Sequence, residues 1–174
     1  MGEIAVNRSI AGLSALLQTG ALDAVALTEA VLEKIAGYAD RAVFTALLPQ
    51  RAREEAQAAA KRLAEGRSLG VLDGIPFAWK DLFDTEGSVT MAASASMMEN
   101  APAAKDAEVV SALRAAGMVS VGRTNLSEFA FSGLGINKHF GTPENPASTD
   151  VPRTNMCAFN ACRSGSWWIR ISST

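Results

Sequence analysis

Hydrophobic positions recur at helical spacing through residues 9–38 and predict two helices there. Leu13, Leu16 and Leu17 line one face of the first, which Gly20 breaks. Val25, Leu27, Val31, Leu32 and Ile35 line the second, and Gly37 marks its end. The run Ala42-Val43-Phe44-Thr45-Ala46-Leu47 then has strand character. Pro49 sits where a first helical turn tolerates proline, and residues 50–65 are rich in Ala, Glu, Arg and Lys. Gly66 stops this third helix, and Gly70 and Gly74 punctuate a loop.

Gly74-Ile75-Pro76-Phe77-Ala78-Trp79 reads as a buried strand, with proline near its start where a missing N–H is tolerable. It runs directly into Lys80-Asp81, and a polar loop follows through Asn100. Asp106 can cap a helix whose inner face is Val109, Val110, Leu113 and Ala116 and which Gly117 ends. Met118-Val119-Ser120-Val121 is a second buried strand. Strand, helix, strand in this order predicts a parallel βαβ unit. Asn125 reads as the cap of a further short helix, with Glu128 three residues on in a capping-box pattern. Beyond Phe131 the chain is punctuated by Gly133, Gly135, Gly141, Pro143, Pro146 and Pro152, a long loop. The pattern is that of a mixed α/β protein.

Composition narrows the function classes. With 174 residues, 48% hydrophobic and 20% charged, the chain is long enough for a core and too apolar for disorder. A formal net charge of −2 gives no basic excess for phosphates, so no nucleic-acid partner is expected. Apolar runs such as 42–48, interrupted by Thr45, are too short to span a bilayer, and no membrane partner is expected. The opening Met1-Gly2-Glu3-Ile4 lacks the layout of a signal peptide, and the expected location is cytoplasmic. The averages conceal a break near Arg153. Residues 1–153 hold 14 basic and all 18 acidic side chains, a charge of −4, and no cysteine. Residues 154–174 hold Arg163, Arg170, Cys157, Cys162, Trp167 and Trp168. Thiolate chemistry and zinc–thiolate sites are thereby excluded from the body.

Among ionisable residues Lys80 is the most suggestive, since open α/β sheets bind ligands at the carboxyl ends of their strands. Phe77 and Trp79 flank it and can desolvate an ammonium, lowering its pKa and making a neutral base available. The plainer alternative is an ion pair with Asp81 or Asp84 as the chain leaves the core.

The segment Gly74-Ile75-Pro76-Phe77-Ala78-Trp79-Lys80-Asp81 resembles the lysine-bearing stretch of the amidase signature family. The resemblance continues through residues 90–94 and 106–117. It is strongest in Val121-Gly122-Arg123-Thr124-Asn125-Leu126-Ser127-Glu128-Phe129-Ala130, and closes with Phe140-Gly141-Thr142-Pro143-Glu144-Asn145-Pro146. It implies the amino-terminal part of an α/β/α fold with a mixed sheet, incomplete in this chain. It also implies hydrolysis of amide carbon–nitrogen bonds by a serine–cis-serine–lysine arrangement, with Lys80 as the base. The substrate implied is a small-molecule amide, and no metal or organic cofactor is implied.

The serines do not carry over. The family enters a Pro-Gly-Gly-Ser-Ser type of stretch after its Asn-Pro loop, and a second Gly-Gly-Ser element follows. Here Val151-Pro152-Arg153 fits the approach, but the chain then reads Thr154-Asn155-Met156-Cys157-Ala158-Phe159-Asn160. Residues 1–153 are therefore read as the amino-terminal portion of an amidase domain and 154–174 as a divergent tail, frameshifted or otherwise non-native. Ser164 and Ser166 are read as tail residues rather than substitutes. The chain is expected to be inactive as it stands.

The remaining features have structural readings. His139, the lone histidine, is read as a hydrogen-bonding loop residue, and Ser94 and Ser96 as loop residues without a catalytic role. Ala93 stands where the family usually has glycine. Met97 and Met98 are read as gap-fillers, and residues 51–67 as a charged helix surface. Two alternatives to the hydrolase stand beside it. One is a non-catalytic interaction module, self-associating through an exposed sheet edge. The other is a fragment of a glutamyl-tRNA amidotransferase A subunit, ranked lower because residues 127–135 look closer to stand-alone amidases.

Overall fold

The computed structural model describes residues 8–144; Cys157, Cys162, Ser164, Ser166 and the divergent tail lie outside the described residues. The chain divides into two compact units. One draws on residues up to Tyr38, on Leu48–Ala78 and on Ala112–Val121; the other on Ala39–Leu47, Trp79–Ser111 and residues from Gly122 onward.

The first unit is built on three helices. Helix α1 (Ile10–Gln18) opens at Ser9, whose hydroxyl accepts from the Gly12 N–H at 3.2 Å. Helix α2 (Ala24–Gly37) opens at Asp23, whose Oδ1 accepts from Ala26 at 2.8 Å. Helix α3 (Pro49–Ala64) places its proline at the first position, where no N–H is needed. α3 carries a stripe of fully buried alanines, Ala52, Ala56 and Ala59. Small side chains on that stripe let α2 pack closely against it, with Leu27 and Leu32 buried. Arg53 and Glu29 pair across the two helices at 2.7 Å.

From the last turn of α3, Arg62 holds the buried Asp73 at 2.6 Å, and the Leu69 N–H donates to the same carboxylate. The Gly74 N–H donates to the Gly117 carbonyl at 2.9 Å. Gly117 has φ +86, and a Cβ there would lie 2.2 Å from Asp73 Oδ1, so both conformation and space require glycine.

Three strands, β1 (Phe44–Leu47), β2 (Pro76–Lys80) and β3 (Val119–Thr124), form a sheet in the order β1-β3-β2. β1 and β3 are antiparallel, with Phe44 opposite Thr124 and Ala46 opposite Arg123. Two steps on β1 thus match one on β3, a bulge. The Val119 N–H bonds the Ile75 carbonyl, and the Asp81 N–H bonds Thr124. Sequence numbers rise together along that ladder, so β2 and β3 are parallel and the sheet is mixed. Helix α4 (Glu108–Ala115) lies between them in sequence, which gives the expected strand–helix–strand order.

Two boundaries differ from expectation. α4 begins at Glu108, and Asp106 uses its Oδ1 to accept from the Glu86 N–H at 2.7 Å. No helix starts after Asn125; a single 3-10 turn spans Glu128–Ala130. The Asn125 amide donates instead to the carbonyls of Ala42 and Gly141, both at 2.9 Å. The capping oxygen, Oδ1, accepts from the adjacent Leu126 N–H at 2.8 Å rather than from an N–H two or three residues on. No helix among the described residues is long and apolar enough to cross a membrane.

Candidate active site

Lys80 is the last residue of β2 and is half-buried. Strand alternation assigns Phe77 and Trp79 to one face of β2 and Lys80 to the other. The Trp79 ring meets Phe83 edge-on, with centroids 6.0 Å apart. The chain turns sharply after the lysine: its carbonyl accepts from the Leu82 N–H at 2.7 Å and from Phe83 at 3.2 Å.

The neighbouring Asp81 is fully buried, and its partner is Arg123 of β3. Arg123 Nε lies 2.9 Å from Asp81 Oδ1, and neither side chain has solvent exposure. The guanidinium also donates to the carbonyls of Val89 and Phe83 and to Thr90 Oγ1, at 2.9 to 3.0 Å. The Thr90 hydroxyl in turn donates to Asp84 at 2.7 Å. Asp81 accepts from the N–H groups of Met91 and Ala93. Burial pushes the Arg123 pKa down, against the opposing pull of Asp81 and Asp84. Asp81 and Asp84 thus both take part in the Arg123 network.

The loop that Asp81 holds ends at Ser94. Ala92 and Ala93 have φ of +49 and +50, and so do Phe129 and Ala130 at +53 and +55. The Phe129 N–H donates to the Ala92 carbonyl at 2.9 Å, so the two strained pairs are joined. Such a φ explains why glycine suits position 93 in the family the sequence resembles. Ser94 is buried; its hydroxyl donates to Glu128 Oε1 at 2.6 Å and lies 2.8 Å from Ser96 Oγ. Glu128 also lies 3.6 Å from His139 Nε2. The order Ser94, Glu128, His139 leaves the carboxylate between hydroxyl and imidazole, which is not the arrangement that activates a serine.

One organising residue had no counterpart in the sequence reading. Asn137 is buried, and its amide donates to the carbonyls of Ala93 and Leu126 at 2.7 and 3.0 Å. Its Oδ1 accepts from the N–H groups of His139 and Phe140, both at 2.8 Å. A buried asparagine with every hydrogen-bonding position used fixes its loop. The only sequence signal was an amide in a glycine-rich stretch. Arg123 stands two residues past the apolar run 118–121, where a cation reads as the end of a strand; the structure continues β3 through it and supplies the buried acid that its charge requires. Among the described residues no cluster of His, Cys, Asp and Glu can hold a metal ion.

A family model described as Amidase matches residues 26–152. The A subunit of glutamyl-tRNA(Gln) amidotransferase from Aromatoleum aromaticum is 40% identical over 145 residues, covering 83% of this chain and 29% of that protein. The AtzE component of 1-carboxybiuret hydrolase from Pseudomonas sp. (strain ADP) is 43% identical over 106 residues, 61% of this chain and 23% of that protein. The solved structure of peptide amidase from Stenotrophomonas maltophilia matches with a TM-score of 0.72 at 33% identity, covering 81% of this chain and 30% of that one. The chain spans less than a third of the length of these curated relatives.

Proposed function

The chain belongs to the amidase signature family, and from that premise we propose that it carries the lysine-bearing part of an amide carbon–nitrogen hydrolase. The observation that carries the reading is the position of Lys80 at the carboxyl end of β2, which runs beside β3 in the sheet. In the serine–cis-serine–lysine scheme, a neutral Lys80 takes a proton from a bridging serine. That serine takes the proton of the nucleophilic serine, whose oxygen attacks the amide carbon while backbone N–H groups hold the oxyanion. The amine leaves with a proton, and water releases the acyl group by the reverse path.

The sequence contains no Gly-Gly-Ser element, and the buried Ser94 already donates its proton to Glu128. We therefore expect the 174-residue polypeptide to show no amide hydrolysis by itself. The test is a chimaera in which residues 26–152 replace the matching segment of a related amidase that supplies both serines. Hydrolysis of a simple acyl amide that falls about 100-fold or more on Lys80→Met supports the base assignment. Unchanged hydrolysis in that variant sinks it.

A second reading, as part of an amidotransferase A subunit, is favoured by the 40% identity over 83% of the chain. It differs in requiring partner subunits. Co-elution of the chain with the other components of such an amidotransferase after co-expression supports this reading; separate elution favours the stand-alone hydrolase.

A further inference from the structure

Arg123 touches no part of the scheme above, yet it is the largest fully buried side chain among the described residues. A buried guanidinium needs its charge matched and its donors filled. Arg123 finds its countercharge and the acceptors for its two terminal nitrogens within residues 81–90: Asp81 supplies the charge, and Phe83, Val89 and Thr90 accept, while Nε has no hydrogen-bond partner among the described residues. Those residues form the turn that begins at Lys80. One side chain thus gathers the start of the turn, through Asp81 and Phe83, and its return, through Val89 and Thr90. Asp81 extends the grip to Met91 and Ala93. Its own N–H bonds Thr124, the residue after Arg123.

We infer that Arg123 is a positioning residue for Lys80: by clamping Asp81 and the turn after it, Arg123 fixes the strand end from which the amine projects. The inference rests on the reading of Lys80 as the base. It makes two demands. The placement of the Lys80 side chain depends on the pair, and the two members of the pair act on the amine with opposite sign. Losing Arg123 exposes Lys80 to an uncompensated carboxylate, whereas losing the Asp81 charge exposes it to an uncompensated cation.

The experiment uses the 174-residue chain, whose five lysines are reductively methylated with 13C-formaldehyde and followed by NMR across pH. The Lys80 signal is assigned by its disappearance in Lys80→Arg. The expected result is that Arg123→Met raises the Lys80 titration midpoint and Asp81→Asn lowers it, each by about half a unit or more. Arg123→Lys, which restores the charge without the fork of donors, returns the midpoint towards the parent value but leaves the chemical shift displaced. A Lys80 signal unmoved in these variants, or displaced in the same direction by both losses, overturns the inference. Removing one member of a buried pair can unfold the chain. Thr90→Val removes one acceptor and keeps the ion pair, so it decides the matter in that event: a displaced Lys80 signal supports the clamp, and an unmoved one overturns it. None of these signals requires turnover, so failure of Lys80 as a base in the chimaera would leave them unchanged.

Discussion

The Ser94 hydroxyl donates at 2.6 Å to Glu128, a residue 34 positions further along the chain. The serine is fully buried, whereas the carboxylate is partly open to water. A neutral donor on a charged acceptor is worth more than a neutral pair, so Glu128→Gln should cost about 1 kcal/mol and Ser94→Ala about 1–2 kcal/mol. Ser96, which is exposed, should change stability by less than about 0.5 kcal/mol when made alanine. Urea unfolding of the single and double variants checks this. Strict additivity between Ser94→Ala and Glu128→Gln would show that the carboxylate charge adds nothing to the bond, since glutamine still offers an acceptor.

Gly117 should be the least replaceable glycine. A methyl there meets Asp73 Oδ1 at 2.2 Å and Asp73 Cα at 3.0 Å, in a left-handed conformation. Strain and overpacking together predict a loss of about 2–4 kcal/mol for Gly117→Ala. Gly133, where a methyl would have nothing within 4 Å, provides the contrast and should tolerate alanine with little change. Thermal melts of the two variants, read side by side, test the difference.

Ala93 and Ala56 are both fully buried, but their backbones differ. Ala56→Gly in α3 loses a methyl and gains unfolded-state freedom, at about 1.5–2 kcal/mol in total. Ala93→Gly carries the same two costs and regains about 1–2 kcal/mol of left-handed strain at φ +50, so the net change should be close to zero. Equal losses at the two sites in denaturant unfolding would mean that position 93 stores no such strain.

The Glu29–Arg53 pair gives a pH dependence with a definite sign. The hydrogen bond from Arg53 holds the Glu29 carboxyl below its ordinary range. A depressed carboxyl stabilises the fold above its unfolded pKa, and that contribution is lost as pH falls through the folded value. Glu29→Gln should therefore lower the melting temperature slightly at neutral pH and not at all in strong acid. The neutral-pH difference should also shrink in high salt, because both side chains are accessible. A difference that persists at low pH would point to packing instead.

Much of this was legible in the sequence because the signals were local. Leucine spacing and glycine stops gave α1 and α2, Pro49 gave the start of α3, and the apolar run into Lys80 gave β2. What escaped depends on partners far along the chain. β3 continues through Gly122 and Arg123 to Thr124, although a glycine and a charge read as an ending. Gly122 is needed there because a Cβ would stand 2.9 Å from the Ala46 carbonyl of β1. Arg123 is tolerated because Asp81 is waiting for it. Asn125 fits a cap rule by position, yet its Oδ1 accepts from Leu126 while two carbonyls outside its own segment hold its amide nitrogen and so fix its orientation. Local rules cannot weigh competitors that only the fold brings near.

At Asn137 a single atom separates an anchor from a wedge. Its amide nitrogen faces two carbonyl oxygens, those of Ala93 and Leu126. Asn137→Asp would exchange that nitrogen for a carboxylate oxygen and turn two attractions into two repulsions in a buried site. A change of one mass unit is therefore expected to release the loop around Ser94 and its neighbour at Leu126 together.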